Sequence, residues 1–230
     1  MRSNSSYPLD STEIENIKFS FTECYAKISQ DLNTKSGIDT DFSGSTSVTV
    51  FIRGRQCICS NIGDSRAIIG RVTRTGWIAI PLSRDHKPDE PDEKLRIEKN
   101  NGRVESYKDS LGNPLGPPRV WIKNEQIPGL AMSRSVGDKV AAQAGVISTP
   151  EIFYHWVENT DKFIIIASDG IWEFMTNEDC VKIVAGFYFN GRIGEACEQL
   201  VNIATHRWNK EDGNVDDITV IIALIKVKDE

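Results

Sequence analysis

Residues 46–80 read TSVTVFIRGRQCICSNIGDSRAIIGRVTRTGWIAI. Short runs rich in β-branched residues, Thr46–Ile52, Gln56–Asn61, Ala67–Val72 and Trp77–Ile80, are separated by Arg-Gly, Gly-Asp and Thr-Gly pairs. Such pairs supply the backbone freedom that a tight reversal needs, so the stretch predicts an antiparallel meander. Upstream, Ile14, Ile17, Phe21, Tyr25, Ile28 and Leu32 recur three or four residues apart. That is the spacing of one apolar helical face over Asp10–Leu32, and it needs a core to cover. Downstream, Glu90–Asn100 reads as a helix stopped at Gly102, and Gly, Pro and Asn dominate Asp109–Gly129, which predicts a long loop. Phe163–Ala167 is a continuous apolar strand, and Thr176 with Asp179 opens a helix through Phe187. Ile193–Trp208 is a further amphipathic helix and Ile218–Ile225 a closing strand. Strands and helices fall in blocks, so the fold class expected is α+β built on antiparallel sheets.

With 230 residues, 39% of them hydrophobic, the chain can bury one substantial core, and a single domain over residues 1–230 is expected. A net charge of −6 offers no basic field for a polyanion, which argues against nucleic acid or an anionic membrane as partner. Cysteines stand at 24, 57, 59, 180 and 197 with no Cys-x-x-Cys, so neither a disulfide framework nor a zinc knuckle is indicated and a reducing compartment fits. Cys57 and Cys59 are two apart on a predicted strand, hence on one face, where buried thiols act as small hydrophobes. The opening, MRSNSSYPLDS, has no apolar segment of the targeting kind and reads as an artificial start or an internal cut; no run approaches a membrane span.

The chemistry concentrates in aspartates at strand ends: Asp64 after Asn61-Ile-Gly, Asp169 after Phe163–Ser168, and Asp216-Asp217 before Ile218-Thr-Val. A carboxylate beside a buried strand is costly unless something pairs with it, and converging hard oxygens suit Mg²⁺ or Mn²⁺ rather than zinc. Each aspartate taken singly is better explained by a turn, since turn aspartates far outnumber metal ligands, and it is the set that points to a cation. The histidines are His86, His155 and His206. None sits with a serine or cysteine in a nucleophile setting; His86 suits a charge network, the other two a surface or helix-packing role. Neither Gly-x-x-x-x-Gly-Lys nor Gly-x-Gly-x-x-Gly occurs, which removes the common nucleotide-binding loops.

Taken in order, Ser43-Gly-Ser-Thr-Ser47, Gly63-Asp-Ser-Arg66, Asp85-His-Lys-Pro88, Gly129-Leu-Ala-Met-Ser-Arg-Ser-Val-Gly-Asp138, Thr149-Pro-Glu-Ile152, Ala167-Ser-Asp-Gly-Ile-Trp-Glu173 and Asp216-Asp-Ile-Thr219 resemble the PP2C family of metal-dependent serine/threonine protein phosphatases. The resemblance implies a four-layer αββα sandwich of two antiparallel sheets flanked by helices, with a binuclear Mg²⁺ or Mn²⁺ centre at one edge. It also implies that the bridging water attacks phosphoserine or phosphothreonine of protein substrates directly, without a phosphoenzyme. Asp169 and Asp216 match the family's metal-binding and catalytic aspartates. Asp64 and Glu173 match its ligands for a third, weaker metal, although Glu173 stands where the family carries aspartate. Residues 102–144 correspond to the flap beside the cleft, which Arg134 and Asp138 are expected to hold to the core. A cytoplasmic or nuclear enzyme is implied.

The family pattern also has a phosphate-binding arginine, a Glu-Asp segment and an Asp-Gly-His-Gly stretch upstream of the part matched, and these are absent from the 230 residues. The expectation is therefore an N-terminally truncated domain with little activity on its own and an open sheet edge that invites self-association. Two other readings stand beside this one. One is a non-catalytic relative that serves as a protein-binding scaffold. The other is a phosphohydrolase with an aspartate nucleophile, which wants Asp-x-Asp where this chain has Ala167.

Overall fold

The computed structural model describes residues 9–35 and 37–227; the opening residues read above as an artificial start lie, through residue 8, outside them. Helix α1 (Ser11–Thr34) begins on a capping box: the Asp10 carboxylate accepts the Glu13 N–H at 2.8 Å and the Glu13 side chain accepts the Asp10 N–H at 3.0 Å. Its Tyr25 is buried, with the hydroxyl 2.8 Å from Ser47 Oγ. That contact lays the helix on the outside of a sheet in which β2 (Ser47–Arg53) and β10 (Glu151–Trp156) flank β3 (Gln56–Ile62).

A second sheet has the order β12 (Val220–Leu224), β11 (Asp161–Ala167), β4 (Arg66–Thr73), β5 (Gly76–Pro81). Both sheets are antiparallel throughout. The expected meander is thus two hairpins in two different sheets, β2–β3 and β4–β5, and the chain passes from one to the other at Gly63-Asp64-Ser65. The reason is burial. Stacking the hairpins face to face covers Cys57 and Cys59 with Ala67, Ile69 and Ile164, whereas a flat meander would leave that face in water. Burial pushes the Cys57 thiol up to about 11 and that of Cys59 to about 12, so both stay protonated, as apolar filling.

The other face of the second sheet, through Ile68, Phe163 and Ile165, packs on Val181 and Val184 of α5 (Asn177–Tyr188) and on Leu200 and Ala204 of α6 (Ile193–Glu211). Strand β11 is therefore apolar on both sides, which explains its continuous hydrophobic run. Thr176 caps α5 by accepting the Asp179 N–H at 3.1 Å. The layers run helix, sheet, sheet, helix, the αββα order expected.

The predicted loop Asp109–Gly129 is corrected. Helix α2 (Pro91–Lys99) leads into a three-stranded sheet of β6 (Gly102–Lys108), β7 (Pro114–Ile122) and β8 (Pro128–Leu130). Gly116, Pro117 and Pro118 fall where the register shifts between Glu105↔Arg119 and Tyr107↔Leu115, a bulge that leaves the prolines' missing N–H groups uncalled for. Beyond it, Val120 and Ile122 bury against Ile97, Ala141 and Val146. The composition of the bulge disguised a strand whose second half is apolar. A short pair, β1 (Gly44–Ser45) with β9 (Val136–Gly137), and the turn-long α3 (Lys139–Ala142) and α4 (Asp169–Trp172) complete the elements.

His155 departs from its expected surface or helix-packing role. Its Nε2 lies 2.9 Å from Asp161 Oδ2, and Arg71 grips the same buried carboxylate from Nε at 2.6 Å, so β10 of one sheet is tied to β11 and β4 of the other. His206 is exposed on α6, as expected. Among the described residues no helix is long and apolar enough to cross a membrane.

Candidate metal centre

Asp169 begins α4 directly after β11, so a core strand delivers its carboxylate to the sandwich rim. The turn that carries it is held from several sides. Ser168 N donates to Thr219 O at 3.0 Å, and Thr219 N donates back to Ser168 Oγ at 3.1 Å, which registers the turn against the segment after Asp216-Asp217. The indole N–H of Trp172 donates to Ala167 O, and that of Trp208 on α6 donates to Gly170 O, each at 2.8 Å. Arg207 reaches Phe174 O at 2.5 Å, and Phe174 packs edge-on against Trp208 at 4.7 Å.

Gly170 is the tightest point of this arrangement: a Cβ there would stand 2.4 Å from Asp217 O. That oxygen belongs to the backbone and cannot swing aside, so Gly170→Ala is expected to pry the Asp169 turn from the Asp216 segment. The expected cost is about 1–3 kcal/mol, of the order seen for overpacking. A melting temperature equal to that of the parent would show that the close approach is not needed.

The electrostatics at Asp169 are those of crowded carboxylates. Burial comes first, followed by the charges of Asp64 and Asp216 and more weakly Glu173; against the opposing field of Lys87 they push Asp169 up to about 6. Asp64 is 2% exposed, on the Gly63-Asp64-Ser65 crossover, with Lys87 Nζ 2.7 Å from its Oδ2. Asp216 and Glu173 are exposed at the rim. The donor set of carboxylates with no thiolate or imidazole, and its excess of negative charge, suits a hard divalent cation. The fit is one of donor type and charge. Among the described residues no three Asp, Glu, His or Cys side chains are gathered tightly enough to hold an ion.

Two of the quoted motifs interlock around Asp64. The Gly63 N–H donates to His86 Nδ1 at 3.0 Å, which leaves the neutral ring's proton on Nε2, 3.3 Å from Glu151 Oε2. Burial, with help from Arg134, pushes His86 down to about 4. Arg66 forks onto Asp85 with two contacts of 2.7 Å, reaches Asn177 Oδ1 at 2.7 Å and lies over the Trp172 ring at 5.0 Å. Gly63–Arg66 and Asp85–Lys87 thereby form one bracket that fixes the crossover.

The order of the motifs finds its match in the family model of protein phosphatase 2C, which covers residues 2–213. The chain belongs to the protein phosphatase 2C family. It is 39% identical over 213 residues to "Probable protein phosphatase 2C 64" of Oryza sativa subsp. japonica, covering 90% of this chain and 48% of that protein. It is 36% identical over 206 residues to "Probable protein phosphatase 2C 72" of Arabidopsis thaliana, covering 88% and 60%. The chain spans about half the length of the first of these relatives. A serine-threonine phosphatase 2C from Toxoplasma gondii, known from its crystal structure, superposes with a TM-score of 0.79 at 26% identity, over 96% of this chain and 72% of that one. A sex determining protein from C. elegans, at 20% identity and a TM-score of 0.63, shares the fold. Phosphatases of the 2C family depend on metal in general, which agrees with a rim lined by carboxylates.

In this member of the protein phosphatase 2C family, Arg134 and Asp138 make packing contacts rather than lying free at the rim. Arg134 Nη2 lies 2.6 Å from Glu93 Oε1, and its Nη1 donates to Thr149 O at 3.0 Å. Asp138 accepts from Ser135 Oγ at 2.5 Å, and its N–H donates to Ser43 O. The carboxylate that receives Arg134, fully buried Glu93, was not singled out from the sequence. Its signal was present: Glu93 and Ile97 are four apart on α2 and both buried, so a carboxylate occupies the apolar stripe.

Proposed function

We propose that the chain acts as part of a metal-dependent protein serine/threonine phosphatase. The observation that carries this is Asp169, a carboxylate brought by a core strand into the field of Asp64, Asp216 and Glu173 and placed there by backbone contacts rather than by ion pairs. Asp169 and Asp216 would hold Mg²⁺ or Mn²⁺, with Asp64 and Glu173 serving a further, weaker ion. Bound there, the cations would supply a water activated for direct attack on phosphorus. The chain's own residues fix geometry. Ser168 and Gly170 keep Asp169 in register with Asp216, and the Arg66–Asp85 fork holds the Asp64 turn. The segment 102–144, with β6, β7 and β8, forms a flap beside the cleft. Five free cysteines, three of them buried, suit a reducing, cytoplasmic or nuclear compartment.

Self-association through sheet edges belongs to the same reading. The outer strands β2 and β12 show Phe51, Ile52, Ile221 and Leu224 to solvent, and β12 carries no charge along its length. Light scattering that finds only monomer at high concentration would remove this part of the reading.

The deciding measurement is Mn²⁺ binding by calorimetry, paired with phosphate release from a phosphothreonine peptide. Metal-dependent release supports the phosphatase outright. Binding without release leaves a metal-holding domain of the low intrinsic activity expected above. A folded chain that binds no Mn²⁺ would leave the scaffold reading in possession.

A further inference from the structure

Lys87 is placed with unusual care for a lysine at the edge of an acidic cleft. Its neighbours are committed on both sides: His86 accepts the Gly63 N–H at 3.0 Å and donates its own backbone N–H to Gly63 O at 3.1 Å, while Asp85 receives the Arg66 fork. These bonds deliver Lys87 Nζ to 2.7 Å from Asp64 Oδ2. Arg66, whose charge also acts on Asp64, is held by Asp85 and Asn177, and at Asp169 the field of Lys87 opposes that of Asp64, Asp216 and Glu173. The two partners differ in freedom. The Asp64 side chain is 3% exposed and sits on a turn pinned to His86, whereas that of Lys87 is 31% exposed and ends in an arm of single bonds. A buried carboxylate needs a positive partner, and here that partner can leave while the carboxylate cannot.

We propose that Lys87 is the resident counter-ion of Asp64 and competes with a divalent cation for that carboxylate, so that metal enters by displacing the ammonium toward solvent. The inference rests on the metal-centre reading above and adds to it an internal cation that lowers the site's affinity while keeping the empty cleft stable. The exchange is balanced in ligands: Asp64 gives up one N–H···O contact and gains one bond to the incoming ion, and the ammonium is taken up by water.

The test uses the whole chain with Lys87→Met and Lys87→Gln as neutral variants and Lys87→Arg as the charge-preserving one, each also in an Asp64→Asn background. Mn²⁺ affinity is read by calorimetry and thermal melting is followed with and without Mn²⁺. Both neutral variants are expected to melt several degrees lower than the parent without metal, because Asp64 is left buried and unpaired. They are expected to bind Mn²⁺ about tenfold more tightly, the effect of about 1.4 kcal/mol of removed competition. Lys87→Arg should stay near the parent, and in the Asp64→Asn background the gain should vanish. Unchanged or weaker binding in the neutral variants overturns the proposal and leaves Lys87 a structural partner. A gain that persists with Asp64→Asn also overturns it, since the effect then acts on the other carboxylates. Absence of Mn²⁺ binding in parent and variants alike sinks the metal-centre reading along with it.

Discussion

Asp169→Asn is expected to lower Mn²⁺ affinity by about a hundredfold or more, and to carry with it whatever phosphothreonine hydrolysis the chain supports. The size follows from ligand chemistry: hard cations are held chiefly by ligand charge and number, and outer-sphere changes alone cost about 10–100-fold. Asn is nearly isosteric with Asp, and the contacts that fix the turn come from Ser168, Gly170, Trp172 and Trp208, none of which uses the Asp169 carboxylate. The fold should therefore survive. Removal of a charge that burial and its neighbours Asp64 and Asp216 disfavour should hold or raise the metal-free melting temperature. Calorimetry and melting curves on the same preparation check both halves. An Asn variant that binds Mn²⁺ as the parent does would take Asp169 out of the centre.

Glu93→Ala has the largest effect expected on the fold. Glu93 is fully buried and receives Arg134 at 2.6 Å, Arg96 at 2.8 Å and the Ser133 hydroxyl. Burial disfavours its charge, but Arg96, Arg134 and Ser133 more than offset that and hold it well below the usual carboxylate range. Truncation leaves Arg134, 12% exposed at its side chain, with its carboxylate partner gone. Breaking a buried pair on one side costs about 3–5 kcal/mol, against about 0–1 for an exposed one. At about 2–4 °C per kcal/mol for a domain of this size, the melting temperature should fall by about 6–20 °C. The damage should start at the foot of the β6–β8 sheet, because Ser133 and Arg134 come just after β8, beyond Ala131 and Met132, and meet α2 through Glu93 alone among its acidic residues. Hydrogen exchange at residues 128–138 reports this locally. A shift below about 2 °C would mean the cluster is solvent-relaxed and worth no more than a surface pair.

What could be read from the sequence was whatever has a short period or a short motif. The helical repeat from Ile14 to Leu32, the β-rich runs of 46–80, the shared face of Cys57 and Cys59 and the Thr176 cap are all set by residues within a few positions of one another. The placing of Asp64, Asp169 and Asp216 at strand ends was legible for the same reason. Partners far apart in sequence were not. Nothing near Lys87 announces Asp64, which lies 23 residues away, and nothing near Arg134 announces Glu93 at 41. The passage of the chain between sheets at Gly63 follows from which apolar faces cover each other, and that is a property of the stacked hairpins rather than of either one. Strand β7 was hidden because its Gly116-Pro117-Pro118 bulge carries loop residues, while pairing with β6 on one side and β8 on the other makes the strand. Local pattern thus determined most of the helices and the apolar strands, and it pointed to carboxylates as the candidate donors. Tertiary structure decided sheet membership and the pairing of charges, because burial, which sets the worth of an ion pair or an apolar face, exists only once the layers have closed.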